Sequence, residues 1–596
     1  MQNNTAIEQP RADLHISSLF LHSRLDRPAL RVGLLLDSLE LPAWFQSVIG
    51  DIQGSDFARV VCLALNQAAT AELRANRTRG WMSKLFRAES RRSILYRLYE
   101  RLYDSRNRHA DDPLRETSCA ELLGEIPAIV VEPLGARSVQ RFPENAIHAL
   151  RAQSLDVILR FGFKILRGDV LHCARYGIWS YHHGDSDQYR GMPPCFWEMT
   201  ESNPISGVVL QVLNEELDRG LVLTRGLFAT SSAVSVSKNR FAPFWCSEHF
   251  VIQKLRELHD EGWESVRARA SPAGAYSGRK RLYRTPTNLD MLKWTATKLL
   301  PASVRKILRP QPVETWQIGI RRSAEPLGTA PTAAALEEFV WSSAPPGHYW
   351  ADPFVFEWRG QPWVFFEDYD LGTQLGAIGC APLEPSGALG PARIVIRRDH
   401  HLSYPCVFAH EGEVFMVPES SACGRIELLR AHAFPDRWVP ERTLVHMRAV
   451  DSTPFEHNGR WWMFTNPLIV DGHAAITLLF HADELMGDWK PHPMNPVCSD
   501  VRHARGAGHI IHSDGVLFRP AQDCSVGYGY ALAFMRIGAL DESTYTESHA
   551  GQLLPDFLPR QAGVHTYNRH GVWETLDAKF VVNSRQAMRG GSTPDL

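Results

Sequence analysis

A chain of 596 residues is too long for one small module and, at roughly 150 residues per domain, corresponds to about three or four structural units or two larger ones. Hydrophobic residues at 44% and charged residues at 22% supply apolar material for at least two buried cores, which excludes a disordered chain. Lys+Arg at 64 against Asp+Glu at 66 leaves a formal net charge of −2, so no overall field draws the chain to nucleic acid or an anionic membrane, and no nucleic-acid partner is expected.

The first thirty residues carry Pro10, Asp13 and Asp26 without an apolar run and cleavage site, so residues 1–30 read as an N-terminal tail. The ten cysteines are scattered with no C-x-x-C pair, as reduced buried thiols are, which makes cytoplasmic the expected location. No window holds the ~18 consecutive apolar residues of a membrane span, so no integral membrane segment is expected.

From Arg31 onward short apolar runs alternate with helical stretches. Val32 to Leu36, Ala58 to Leu65, Ile126 to Val131, Asp156 to Phe161 and Gly207 to Leu213 read as buried strands, with helices starting after Pro42 and at Pro143. This alternation predicts an α/β domain over 31–230 built on a mostly parallel sheet. The insertion Ser90 to Asp104 places Ile94, Leu95, Leu98, Leu102 and Tyr103 at helical spacing and reads as a packed surface helix. Residues 231–312 read as a helical connector, with helices at Phe250 to Leu258 and Leu289 to Leu308.

Beyond Trp316 the pattern becomes all-β and repeats about every 50 residues. ADPFVFEWRGQPWVFFED at Ala351, SYPCVFAHEGEVFMVPES at Ser403, DSTPFEHNGRWWMFTNP at Asp451 and a weaker GAGHIIHSDGVLFRPAQD at Gly506 are each two strands around a turn at Gly360, Gly412, Gly459 or Gly515. Hairpins at this period predict a five-bladed β-propeller over 313–590, with Thr315 to Ile320 closing the ring against the last blade. Leading residues of inner strands point into a central funnel, which makes Asp352, Tyr404, Asp451 and His509 the candidates for a sugar site.

The runs DVILRFGFKILRGDVL, GIWSYHHGDSDQYRGMPP and GVVLQVLNEELDRGLVL resemble the folate-dependent formyltransferases that act on methionyl-tRNA, glycinamide ribonucleotide and nucleotide-linked amino sugars. The resemblance implies a Rossmann-like fold and 10-formyltetrahydrofolate as formyl donor. It puts the family pattern on Gly177, His182, Tyr189 to Gly191, Gly207, Val208, Asp218 and Gly220. It implies His182 as the base that takes the amine proton, Asp218 as the carboxylate orienting it, and Ser180 as the oxyanion donor where the family has asparagine. Phe161, Gly162, Phe163, Ile165 and Leu166 match the segment that packs on the pterin, and Arg190 shapes the loop or contacts an anionic acceptor. No Walker loop or dinucleotide fingerprint is present, and the polar loop from His182 gives no metal set, so no metal is expected.

The propeller runs resemble two groups: five-bladed glycoside hydrolases of the arabinanase and β-xylosidase type, and the N-terminal propeller of plant glucosamine inositolphosphorylceramide transferases. Asp352 matches the hydrolase base and Asp451 its auxiliary aspartate, but the glutamate expected in the fourth blade is missing. Glu367 and Glu419, which end second strands, are the available substitutes. The combined expectation is formylation of an amino sugar or sugar nucleotide with the propeller binding carbohydrate. The alternatives are glycosidase or glycosyl-transfer chemistry in the propeller beside a degenerate formyltransferase scaffold, and a non-catalytic glycan-binding protein.

Overall fold

The computed structural model describes residues 16–69, 91–108, 111–135, 139–216, 219–272, 274–308, 312–470 and 475–583. The chain divides into two compact units, one over Ile16–Val304 and one from Arg305 onward.

The first unit is built on an eight-stranded sheet. In chain order its strands are β1 Leu30–Leu36, β2 Ala58–Asn66, β3 Ala128–Val131, β4 Val157–Arg160, β5 Ile178–His182, β6 Ile205–Val212, β7 Leu221–Ala229 and β8 Ser271–Pro272. They lie side by side as β8-β7-β6-β5-β4-β1-β2-β3. Strands β3, β2, β1, β4 and β5 run parallel to their neighbours, whereas β6, β7 and β8 are antiparallel. The central strand LRVGLLL is buried along nearly its whole length, which is why it reads as an unbroken apolar run without alternation.

Helix α1, Ala43–Gly54, begins after Pro42 and buries Trp44, Val48, Ile49 and Ile52. Helix α2, Glu144–Arg151, begins after Pro143 and buries Ala146, Ile147 and Leu150 on one face. Each such aliphatic side chain, fully buried, contributes about 1.5–3 kcal/mol. The 94–107 insertion is helical, and its Tyr96 and Tyr99 pack with Phe196, Trp197 and Trp294 in one aromatic cluster.

The helices over residues 236–269 belong to this unit and do not form a separate connector. In Val236–Trp245 and Phe250–Glu261, Val236, Phe244, Phe250, Val251, Ile252 and Leu255 are buried. Their apolar faces are as consistent with packing on a sheet as with packing between domains, so periodicity did not separate the two.

The second unit is a five-bladed propeller. Three blades are four-stranded sheets over His348–Ile396, Ser403–Val445 and Ala449–Pro491, and a fourth, five-stranded sheet covers Arg505–Leu553. The last blade is closed by the first strand, Pro312–Arg322, which pairs antiparallel with Trp573–Asn583 from Thr315↔Phe580 to Ile320↔Thr575. Each of the first four inner hairpins turns on a residue pair with both φ positive: Arg359-Gly360, Glu411-Gly412, Asn458-Gly459 and Asp514-Gly515. This is the two-residue turn whose twist matches that of the flanking strands.

Candidate functional site

The parallel-to-antiparallel part of the sheet opens into a cavity of about 510 Å3. Arg160, Lys164, Ile165 and Leu166 form one side, Ser180 to His182 the floor, and Gln211 with Leu213 to Glu216 the other side. Backbone geometry sets this wall. A Cβ on Gly162 would stand 2.4 Å from the Asp37 nitrogen, so only glycine lets the loop after β4 cross this close to the end of β1. Phe163 follows in a left-handed conformation (φ 63°), its N–H donating to Asp37 Oδ1 at 2.9 Å.

His182 closes β5, half-buried at the cavity wall. Its Nε2 lies 2.7 Å from the Tyr189 carbonyl. A carbonyl only accepts, so Nε2 carries the proton and, in the neutral ring, Nδ1 is the basic nitrogen. Asp218 lies outside the described residues. Ser180 is committed: its hydroxyl donates to the Tyr181 carbonyl (3.1 Å) and accepts from Arg160 Nε (3.1 Å). Its one proton, which the resemblance implies for an oxyanion, is thus engaged by a backbone carbonyl in this structure.

Of the residues matched to the pterin segment, Ile165 and Leu166 line the cavity and the others stand behind it. Phe161 packs on Phe45 with ring centroids 4.3 Å apart, and Phe163 lies in the core against Phe142 at 4.9 Å. Gly162 acts through the backbone approach to β1. Arg190 does not reach the cavity: its Nε donates to the Ser186 carbonyl and its guanidinium lies 4.3 Å over the Tyr276 ring. The sequence reading missed Arg160 and Gln211. Arg160 leaves one signal, a cation ending the apolar run DVILR.

The neighbouring His183 has a different environment. Its ring stacks on Phe244 at 3.6 Å, its Nε2 is buried with no hydrogen-bond partner, and burial together with adjacent His182 pushes its pKa down to about 3. It is a neutral core ring. Asp185 and Asp187 both pair with Arg225, at 3.4 and 2.7 Å. Nearby Glu198 is buried, and desolvation pushes its carboxyl up to about 8.

In the propeller, Asp352, Tyr404 and Asp451 occupy equivalent places at the start of three inner strands. Each has a left-handed backbone (φ 50°, 44° and 51°), each sits at a register shift, and each is nearly inaccessible. They belong to a ring of hydrogen bonds that joins all five blades. The Tyr404 N–H donates to Asp352 Oδ2 (3.2 Å), and its hydroxyl is 2.8 Å from Thr453 Oγ1. Arg505 Nε donates to Asp451 Oδ2 (2.5 Å), the His509 N–H to Asn568 Oδ1 (2.7 Å), and Thr566 Oγ1 to Asp352 Oδ1 (2.6 Å).

His565 lies between Asp577 (2.5 Å) and Asp352 (3.6 Å) and stacks on Trp316. Burial opposes its charge, but the two carboxylates outweigh it and hold the imidazolium above its usual range. Burial raises Asp352 to about 6 even with His565 beside it. Tyr404 is thus a tie between blades, with its hydroxyl also accepting the Gly508 N–H at 2.7 Å. His509 sits edge-on to Phe354 at 4.9 Å, and burial lowers its pKa to about 4.

Glu367 differs. Its Oε1 is buried with no hydrogen-bond partner, the His401 imidazole Nε2 lies 3.6 Å away, and desolvation raises its pKa well above the carboxylate range. Among the described residues two groups bring metal-type donors within 4.8 Å, Asp352-His565-Asp577 and Cys498-His503-Glu547. Both are ion-pair networks. In the second, Arg519 holds Glu547 at 2.8 and 2.9 Å and the Tyr545 hydroxyl adds a bond at 2.6 Å.

An α/β domain of the formyltransferase type, followed by a five-bladed propeller, is the class that this fold and cavity define. Residues 43–230 match the family model described as formyl transferase, and residues 307–568 match that described as glucosamine inositolphosphorylceramide transferase 1, N-terminal. Glucosamine inositolphosphorylceramide transferase 1 of Arabidopsis thaliana is 32% identical over 247 residues, covering 40% of this chain and 31% of that protein. Methionyl-tRNA formyltransferase of Prochlorococcus marinus (strain MIT 9312) is 31% identical over 81 residues, 13% of this chain and 24% of that protein. The chain thus spans a third or less of the length of each of these relatives. The structure of glycinamide ribonucleotide transformylase 1 from Symbiobacterium toebii aligns with 39% of this chain and 89% of its own at 15% identity and TM-score 0.25, a likeness too slight to add weight.

Proposed function

We propose that the unit over 16–304 transfers a formyl group from 10-formyltetrahydrofolate to the amine of an amino sugar, free or nucleotide-linked, and that the propeller holds carbohydrate. The observation that carries this reading is His182 at the wall of the 510 Å3 cavity, its ring held by Nε2 2.7 Å from the Tyr189 carbonyl. The formyl transferase match over 43–230 supports the reaction class. The relative of the propeller segment is named for glucosamine, which supports an amino sugar as acceptor.

The donor supplies a one-carbon unit at the oxidation level of formate. The cavity volume lies within the roughly 300–1,000 Å3 of small-molecule sites, and its lining suits a flat heteroaromatic group. Ile165, Leu166 and Leu213 give apolar surface, and the loop over 213–216 gives polar groups. In this reading His182 takes the proton of the acceptor amine, and Asp218 is the carboxylate that stabilises the imidazolium so formed.

The test is incubation with 10-formyltetrahydrofolate and a panel of free and nucleotide-linked amino sugars, followed by mass spectrometry. A gain of one formyl group on an amino sugar is expected, and well-folded protein that formylates none of them contradicts the reading.

The buried, unpartnered Glu367 Oε1 favours a second reading, in which Glu367 is a proton donor for glycosyl chemistry in the propeller. It predicts turnover of glycosides that Glu367→Gln abolishes and His182→Ala spares.

A further inference from the structure

Ser180 and Gln211 are direct register partners on the antiparallel strands β5 and β6, and both line the cavity. Side chains so placed start about 4.5–5.5 Å apart. The resemblance implies a carboxamide at position 180, where this chain has a hydroxyl already engaged by Tyr181 and Arg160. A carboxamide is present one strand over. Gln211 is 1% exposed, and its Oε1 has no hydrogen-bond partner. A buried amide oxygen without a donor is costly and rare in a folded protein, and one that lines a cavity is explained by a ligand that supplies the donor.

At the end of β4, on the other side of β5, the Arg160 guanidinium donates from Nε to Ser180 Oγ (3.1 Å) and from Nη1 to the Lys164 carbonyl (2.9 Å). It presents a positive charge to the same cavity from a fixed plane.

We propose that Gln211 and Arg160 form a two-point clamp on the N–C=O unit of the reacting group: Gln211 Oε1 accepts an N–H of the acceptor amine, and Arg160 holds the formyl oxygen as it gains negative charge. The inference rests on the formyl-transfer reading and assigns residues and acceptor chemistry within it. The acceptor nitrogen bonds to the formyl carbon while the carbonyl electron pair moves onto the oxygen beside Arg160. That pair returns as the bond from carbon to the donor nitrogen breaks. The proton released by the acceptor passes to His182 and from there to the donor nitrogen, so charge and atoms balance.

One consequence concerns which acceptor is chosen. An amine retains an N–H after losing a proton to the base, whereas a hydroxyl has then given up its only hydrogen. Gln211 therefore favours the amine over hydroxyl groups of the same sugar.

The test uses the full chain with 10-formyltetrahydrofolate and whichever amino sugar of the panel the native protein formylates. Gln211→Leu and the near-isosteric Gln211→Met are expected to lower kcat about tenfold with the donor KM unchanged, and to raise the share of O-formyl product. Gln211→Glu, which keeps an acceptor, is expected to retain the N-formyl preference. Arg160→Met is expected to cost about 10²-fold in kcat, with partial recovery in Arg160→Lys. Thermal unfolding identifies the variants that fold. Native-like kcat and product ratio in folded Gln211→Met and Arg160→Met overturn the clamp alone. No transfer by the native protein overturns the proposed function and the clamp with it.

Discussion

Around the cavity, His182, Gln211 and Arg160 face a space of about 510 Å3, and one buried acceptor there has no partner. At the propeller centre, Asp352, Asp451 and Asp577 face His565, Arg505, Tyr404 and Thr566, and each carboxylate is already engaged. Similar side chains do different work in the two places. Gln211 keeps an acceptor without a partner, whereas Asp352, Asp451 and Asp577 spend theirs on groups of neighbouring strands and blades. A substitution in the cavity should therefore cost rate and leave stability, and one at the centre should cost stability and leave rate.

The largest effect expected is on rate. His182→Ala removes the proposed base and should lower the proposed formyl transfer by roughly 10²- to 10⁴-fold, with a urea midpoint close to native. At the centre, Asp352→Ala leaves the His565 imidazolium, the Tyr404 N–H and the Thr566 hydroxyl short of a partner. A loss of about 3–5 kcal/mol is expected, read by urea unfolding of the propeller, with transfer per folded molecule unchanged. Loss of transfer without loss of stability in this variant would break the comparison.

A third prediction concerns pH. The Glu198 carboxyl sits at about 8 in the folded unit against an ordinary 4.5. Between these values the unfolded chain has released the proton that the folded chain retains, so stability falls as pH rises from 4.5 to 8 and levels off above. Glu198→Gln should flatten that slope and, at pH 8, exceed native stability by on the order of a few kcal/mol, as denaturant titrations at pH 5 and 8 would show. His183 acts in the opposite sense. With its folded pKa near 3 against 6.5, it contributes stability above 6.5 that is lost as pH falls toward 3. His183→Phe, in a pocket of Trp44, Tyr181 and Phe244 rings, should remove that acid limb and change stability at pH 7 by less than about 1.5 kcal/mol. This is the smallest of the effects.

Much of this organisation is legible in the amino-acid order. The propeller announces itself because the hairpins at Gly360, Gly412, Gly459 and Gly515 need a glycine at the second left-handed position, which stamps a visible period on the chain. The parallel strands are legible as apolar runs bounded by Pro42 and Pro143. His182 is legible because its motif is local. Gln211 is not, since its partnership with Ser180 exists only once an antiparallel register aligns residues 31 apart. The pterin-segment residues are legible only as a group. The loop after Arg160, with Phe163 left-handed, turns Phe161 and Phe163 into packing behind the wall, and the wall itself is left to Ile165 and Leu166. The engagement of Tyr404 is equally invisible, because its partners Thr453 and Gly508 come from two other blades.

The most direct test places the two regions in one experiment: native protein, His182→Ala and Asp352→Asn, each confirmed folded, are given 10-formyltetrahydrofolate and the amino-sugar panel. The account predicts a formylated amino sugar from native protein and Asp352→Asn, and none above background from His182→Ala. Activity that survives in His182→Ala and disappears in Asp352→Asn would contradict it and move the chemistry to the propeller.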